Sequence, residues 1–165
     1  MTIPRRRASH GVRLIMAAIA IACPANAQTS DEVAIGQVVE DLAVAWNDGD
    51  AAGWVEHFAE SSGFTNILGM HFPDRAANEA RHASLFETVF EGSSLTSRLI
   101  SIHQVGREAA VVEVELELRE YVGLPPGITE TERGVLKTRL ILAFQKIEGR
   151  WWIIAGQNTA ILPPH

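Results

Sequence analysis

The sequence predicts an α+β roll, in which a strongly bent antiparallel sheet wraps around three N-terminal helices and leaves a pocket between the layers. Three observations predict it. The chain ends in two long apolar runs, Val135–Ile147 and Trp151–Ile161, that meet at Glu148-Gly149, an acidic-Gly hairpin turn. Before them, Ala109–Tyr121 alternates Val112, Val114, Leu116 and Leu118 with Glu113, Glu115, Glu117 and Arg119, the pattern of a strand with one wet face. Upstream of Thr96 the apolar residues instead repeat with helical spacing. Helices first and long antiparallel strands afterwards is the order of an α+β domain.

Each element has a local cause. Thr29-Ser30-Asp31-Glu32 reads as a capping box, and Ile35, Val38, Val39, Leu42 and Trp46 follow on one helical face until Asn47-Asp48-Gly49 stops it. Asp50 caps a second helix with the apolar face Ala51, Trp54, Val55 and Phe58. Phe64–Leu68 is a short strand and Gly69–Pro73 a loop. Asp74 caps a third helix, expected to reach Glu91 and end at Gly92. Thr96–Val105 is a strand, Gly106-Arg107-Glu108 a turn, and Gly123–Glu130, with Pro125-Pro126-Gly127, a wide loop.

The 165 residues suffice for one domain with a sizeable core, and 47% hydrophobic against 21% charged residues is a globular balance. The first residues differ. Arg5, Arg6, Arg7 and Arg13 precede the apolar run Leu14–Ala22, and Ala25-Asn26-Ala27 follows as a small-x-small site. This is the pattern of a secretory signal peptide over 1–27, cleaved after Ala27, ahead of a domain over 28–165. The expected location is the periplasm or the exterior. The consecutive arginines leave a twin-arginine route open, although Ala8 and Ser9 fit it poorly, and Cys23 is a weaker alternative as a lipidation site.

Cleavage would leave 10 basic against 20 acidic residues, a net charge of −10, which argues against nucleic acid and anionic membranes as partners. It would also remove Cys23, the single cysteine, and with it any disulfide, zinc–thiolate site or cysteine nucleophile. No His-Glu-x-x-His occurs and the histidines show no ligand spacing, so no metal is expected. No Gly-x-Gly-x-x-Gly or phosphate loop is present to hold a nucleotide, so no cofactor is expected.

Ala45-Trp46-Asn47-Asp48-Gly49-Asp50 with Phe58-Ala59, Arg75…His82…Phe86, Ala109-Ala110-Val111-Val112, and Gly149-Arg150-Trp151-Trp152-Ile153 with Gln157-Asn158-Thr159 resemble, in order and spacing, SnoaL-like domains. The resemblance is to the SgcJ/EcaC family of the nuclear-transport-factor-2-like superfamily and covers residues 31–163. It implies a cone-shaped, cystatin-like roll, a homodimer, and a pocket at the wide end of the cone that takes a hydrophobic small molecule. It does not fix the chemistry, since the fold hosts enzymes and non-enzymes. Ketosteroid isomerase and limonene epoxide hydrolase of this superfamily use an aspartate from a late strand, and the isomerase also a tyrosine on the first helix. This chain has no aspartate after Asp74 and only Tyr121, so neither mechanism carries over.

Two residues are candidates for acid/base work. His82 shares a helical face with Leu85, Phe86 and Val89 that should look into the cone, and an imidazole there can exchange a proton near neutral pH. Glu120 continues the inward parity of Leu116 and Leu118, where a carboxylate could act as a base with a raised pKa. Asn66 and His71 are candidate binding residues on one rim of the pocket, Phe86 on its wall, and Arg75, in the first turn of the third helix, could bind a carboxylate or an enolate. In the last strand Asn158 or Gln157 faces inward as an amide in need of partners. Each has an ordinary alternative: a core-edge histidine satisfied by a carbonyl, a loop satisfying its own backbone, a surface cation. Glu113, Glu115 and Glu117 read as a solvated face with Arg98, Arg119 and Arg139 as partners. Two functional expectations follow: an exported acid/base enzyme transferring a proton on a hydrophobic or polyketide-like substrate, or a non-catalytic dimeric ligand-binding or interaction module.

Overall fold

A computed structural model of the chain describes residues 29–163. The expected signal peptide, with Cys23 and the Ala27 cleavage site, lies outside the described residues. Among those described, no helix is long and apolar enough to cross a membrane.

The elements are α1 (Ser30–Asn47), α2 (Ala51–Val55), β1 (Phe58–Thr65), β2 (His71–Phe72), α3 (Arg75–Phe86), β3 (Ser94–Val105), β4 (Ala109–Arg119), β5 (Leu136–Ile147) and β6 (Arg150–Ala160). One six-stranded sheet, in the order β2-β1-β6-β5-β4-β3, curls around the helices without closing. It is mixed rather than purely antiparallel, because β1 runs parallel to β6. The cause is topological: β1 joins the far side of the final hairpin, at an edge that a neighbour in sequence does not occupy. Three boundaries also shift. Phe58 begins β1 instead of closing α2, His71-Phe72 forms a short strand where a loop is expected, and α3 stops at Phe86, followed by turns up to Gly92.

The N-cap predictions hold in atomic detail. Thr29 Oγ1 accepts from Glu32 N at 3.2 Å while Glu32 Oε2 accepts from Thr29 N at 2.8 Å. Asp50 and Asp74 accept from Gly53 N and Ala77 N at 2.9 and 2.8 Å. The hairpin turn places Glu148 at φ 52° and Gly149 at φ 84°, the two left-handed residues of a type I′ turn.

The core lies between α1 and the concave face of the sheet. Ile35, Val38, Val39 and Leu42 of α1 join Val112, Val114, Leu140, Leu142, Phe144 and Ile153 in one cluster. Polar contacts anchor both ends of α1 to strands distant in sequence. Asp31 accepts from Lys146 Nζ at 2.6 Å and from Trp151 Nε1 at 3.1 Å, and these bonds hold its carboxyl below the usual aspartate range. At the other end Asn47 exchanges two hydrogen bonds with the Leu95 backbone, at 3.0 and 2.7 Å. On the outer sheet face Arg139 bridges Glu113 at 2.6 Å and Glu115 at 3.1 Å, and Arg98 pairs with Glu115 at 2.8 Å. Arg119 pairs with Glu117 along its own strand, at 2.7 Å, and the cross-strand partner of Glu117 is Lys137 at 3.8 Å.

Two backbone irregularities decide what enters the roll. In β6 the register passes from Ile153 opposite Phe144 to Ala155 opposite Ala143, leaving Ile154 as an extra bulged residue. Strict alternation would place Trp152, Ile154, Gly156 and Asn158 on one face. The bulge instead turns Trp151 and Ile153 inward on one side of it and Gly156 and Asn158 inward on the other, and Gln157 stays exposed. Trp152 turns to the outer surface, where the Arg150 guanidinium lies 4.0 Å above its ring. The second irregularity is at the end of β4. Glu120 adopts φ 58°, leaves the strand and is exposed. The left-handed residue breaks the parity on which its inward placement was reasoned, so Glu120 does not reach the interior.

Candidate functional site

A cavity of about 60 Å³, widening to about 660 Å³ of empty space once its open mouth is counted, lies between α3 and the sheet. The enclosed part is room for about four water molecules at ~15 Å³ each. Leu116 and Leu118 of β4, Leu136 and Thr138 of β5, and Asn158 of β6 form its floor. The β4–β5 register sets Leu116 opposite Thr138 and Leu118 opposite Leu136. The roof is Arg81, His82 and Leu85 of α3, and Trp46, Trp54 and Phe90 close the narrow end. Asn66, with Ile67 and Leu68, forms the lip at the end of β1. Thr65, the last residue of β1, is registered to Gln157 on the parallel neighbour, so Asn66 and Asn158 each follow one residue after that pair.

His82 is only 4% exposed and sits in an aromatic box. The Trp54 ring stacks on it at 4.6 Å between centroids, and Trp46 and Phe64 meet it edge-on at 6.0 and 5.8 Å. Its Nδ1 lies 2.9 Å from the Asn78 carbonyl one helical turn back, so the neutral ring donates from Nδ1 and carries its lone pair on Nε2. Nε2 has no hydrogen-bond partner among the described residues. Burial pushes the His82 pKa down to about 4, against the Asn78 bond, which raises it, and with help from the adjacent Arg81 charge. At neutral pH the imidazole is therefore uncharged and offers an acceptor.

The other polar groups of the wall are mostly donors. Asn66 Oδ1 already accepts from Leu68 N and Met70 N, both at 3.0 Å, which fixes the lip and leaves its Nδ2 as the free end. Asn158 Oδ1 accepts from Thr159 N at 3.1 Å, again leaving Nδ2. Thr138 is 5% exposed and its hydroxyl has no partner. Arg81 contributes a guanidinium whose Nε is buried and unpartnered. Among the described residues no acidic side chain lines the cavity.

Of the residues singled out in the sequence, His82, Asn66 and Asn158 meet in this cavity and four do not. His71 is exposed and packs over Gly63, with Nδ1 3.2 Å from Thr65 Oγ1. Arg75 lies on the outer side of α3, 3.9 Å from Glu60. Phe86 supports the aromatic box from behind, 5.1 Å from the Trp46 ring and 6.1 Å from His82, without reaching the cavity wall. Glu120 is outside altogether. Arg81 and Thr138 were missed. Arg81 precedes His82 on a helix whose apolar face does not include it, and its long stem brings it to the cavity wall. Thr138 was legible from the inward parity of Leu136 and Leu140, which it shares.

No family model and no curated protein matches the sequence. Solved structures do. A domain of unknown function with a cystatin-like fold from Nostoc punctiforme is 27% identical over 82% of this chain and 80% of its own, with a TM-score of 0.70. The chain has the cystatin-like, nuclear-transport-factor-2-like fold. A nuclear-transport-factor-2-like protein of unknown function from Shewanella oneidensis superposes with a TM-score of 0.63 at 16% identity, over 78% of this chain and 98% of its own. A putative scytalone dehydratase from Novosphingobium aromaticivorans gives 0.66 at 16%, over 80% and 85%. At those identities the likeness is one of fold.

Proposed function

We propose that this chain is an exported small-molecule-binding domain of the SnoaL-like, SgcJ/EcaC type, whose ligand lies in the cavity under α3. The observation that carries this reading is the wall itself: a mostly apolar lining in which Arg81 Nε and the Thr138 hydroxyl are buried without a partner, joined by the partly exposed amides of Asn66 and Asn158 and by the His82 ring. Buried polar groups are normally satisfied, and a pocket with a few such groups in an apolar lining is the usual form of a ligand site. A packed interaction module would have no use for them.

His82 is the one group placed to exchange a proton with a ligand. A base whose conjugate acid has a pKa of about 4 is uncharged at pH 7 but takes a proton reluctantly, which favours binding over turnover. A ligand that brings negative charge beside the ring would raise that value and restore basicity. Proton transfer on a bound hydrophobic substrate therefore stays the catalytic form of the proposal, supported in fold by the dehydratase-like neighbour. The outer sheet face, with Val111, Ile141 and Ile154 each about two-fifths exposed around the Arg139–Glu113 pair, is the surface proposed for a homodimer.

Native mass spectrometry of the full chain, expressed in a host that exports it and released by osmotic shock, tests all three parts. The expected result is a dimer of chains beginning at Gln28 that carries a dissociable small molecule or gains one from a mixture of hydrophobic compounds. An uncleaved N-terminus in the shock fluid refutes export by a cleaved signal, a monomer refutes the interface, and a mass unchanged by every compound refutes the pocket.

A further inference from the structure

Arg81 stands apart from the other arginines. Among the described residues Arg75, Arg98, Arg119, Arg139 and Arg150 each pair with a carboxylate. Arg107 and Arg133 are exposed in turns, where water balances them. Arg81 alone is half-buried with no ion pair, and its Nε is sealed from solvent without a hydrogen bond. An unbalanced guanidinium at the edge of an apolar cavity is costly unless something neutralises it. The chain is rich in acids, yet none among the described residues lines this cavity.

The neighbouring groups point the same way. The free ends of Asn66 and Asn158 are N–H donors, because each amide oxygen is engaged by backbone N–H groups. The two amides line the same cavity, Asn66 just past the end of β1 and Asn158 on β6, and Thr138 lines it from the neighbouring β5. These unpaired donors outnumber the acceptor at His82 Nε2 and select a ligand that is rich in acceptors. A single guanidinium balances a single negative charge, and a planar fork suits a carboxylate. The enclosed space of about 60 Å³ and the leucines of the floor restrict the rest of the ligand to a compact apolar body.

We propose that the cavity takes a small hydrophobic monocarboxylate, its head group on Arg81 and the two side-chain amides and its body on Leu116, Leu118 and Leu136. This rests on the reading of the cavity as a ligand site.

The test is a titration of the ¹⁵N-labelled full-length protein with phenyl phosphate and with three matched pairs: benzoate and benzamide, phenylacetate and phenylacetamide, hexanoate and hexanamide. The indole N–H signals of Trp46 and Trp54, both in the cavity wall, report occupancy. Each acid should bind the wild type at least tenfold more tightly than its amide. That preference should fall below twofold in Arg81→Gln, with amide affinity unchanged, and partly return in Arg81→Lys, which keeps the charge but not the fork. Equal binding of acids and amides to the wild type overturns the carboxylate assignment and leaves the pocket standing. Tighter binding of phenyl phosphate than of benzoate overturns it in favour of a phosphate head. An undiminished preference in a folded Arg81→Gln protein overturns the role of Arg81. If none of these compounds moves either indole, the carboxylate assignment and the ligand site both fall.

Discussion

The buried imidazole gives a prediction that needs no ligand. His82 is neutral in the folded protein until about pH 4, whereas in the unfolded chain it protonates near 6.5. A histidine with a depressed folded pKa contributes stability that is complete above the unfolded value. That stability is lost as pH falls from 6.5 towards 4, because only the unfolded chain gains the proton in that window. The difference between the two midpoints is worth about 3 kcal/mol at ~1.4 kcal/mol per pH unit. His82→Phe fills the aromatic box with an apolar ring that cannot titrate. At pH 7.5 the variant should be less stable by about 1 kcal/mol, for the lost bond to the Asn78 carbonyl. At pH 4 the order should reverse, with the variant ahead by about 2 kcal/mol, the titration loss less the hydrogen bond. Urea unfolding followed by tryptophan fluorescence at half-unit steps measures both. The carboxylates held low by their partners, Asp31, Glu115, Glu130 and Glu132, titrate in both proteins and cancel in the difference. A stability difference that stays flat between pH 7.5 and pH 4 would refute the buried neutral imidazole and the acceptor role built on it.

Three other predictions are independent of His82. The sole tyrosine, Tyr121, is pushed up to about 12 by its burial and by its 2.7 Å bond to the Glu130 carboxylate, so its absorbance at 295 nm should stay phenolic through pH 10 and ionise earlier in Glu130→Gln. A Cβ at Gly156 would stand 2.8 Å from Phe64 Cδ2 and 3.1 Å from Leu142 Cδ2, so Gly156→Ala should lose roughly 1–3 kcal/mol in denaturant melts, and a neutral result would mean the sheet is looser there. Glu120→Gly relieves a left-handed glutamate and should leave stability equal or raised by up to about 1 kcal/mol, with ligand binding unchanged; a loss of binding would return Glu120 to the site.

The parts legible in the sequence are those fixed by local periodicity and capping. The box at Thr29–Glu32, the aspartate caps at 50 and 74, the alternation of β4 and the Glu148-Gly149 turn each depend on residues within a few positions, and each is present. The expectations that failed depend on contacts made across the chain. The parallel edge of β1 arises from pairing with a strand about ninety positions later, which no local pattern encodes. The Ile154 bulge is set by packing against β5, and it decided which of Gln157 and Asn158 enters the roll. Glu120 failed because parity was carried one residue beyond the end of regular extended backbone. Within the site, His82 was visible as a polar residue on an apolar helical stripe. Arg81 was not, since its role lies in the absence of a partner, which only three-dimensional neighbours reveal.

The central claim is that the space under α3 is a binding site and not an accident of packing. The most direct test is a fragment screen of the ¹⁵N-labelled protein, with neutral, cationic and anionic hydrophobic compounds of up to about ten heavy atoms. Saturable shifts are expected at the Trp46 and Trp54 indoles and along α3 from Arg81 to Leu85, for a subset of compounds sharing one head-group chemistry. A screen in which no compound moves these signals, or in which every shift maps to the outer sheet face, would contradict it.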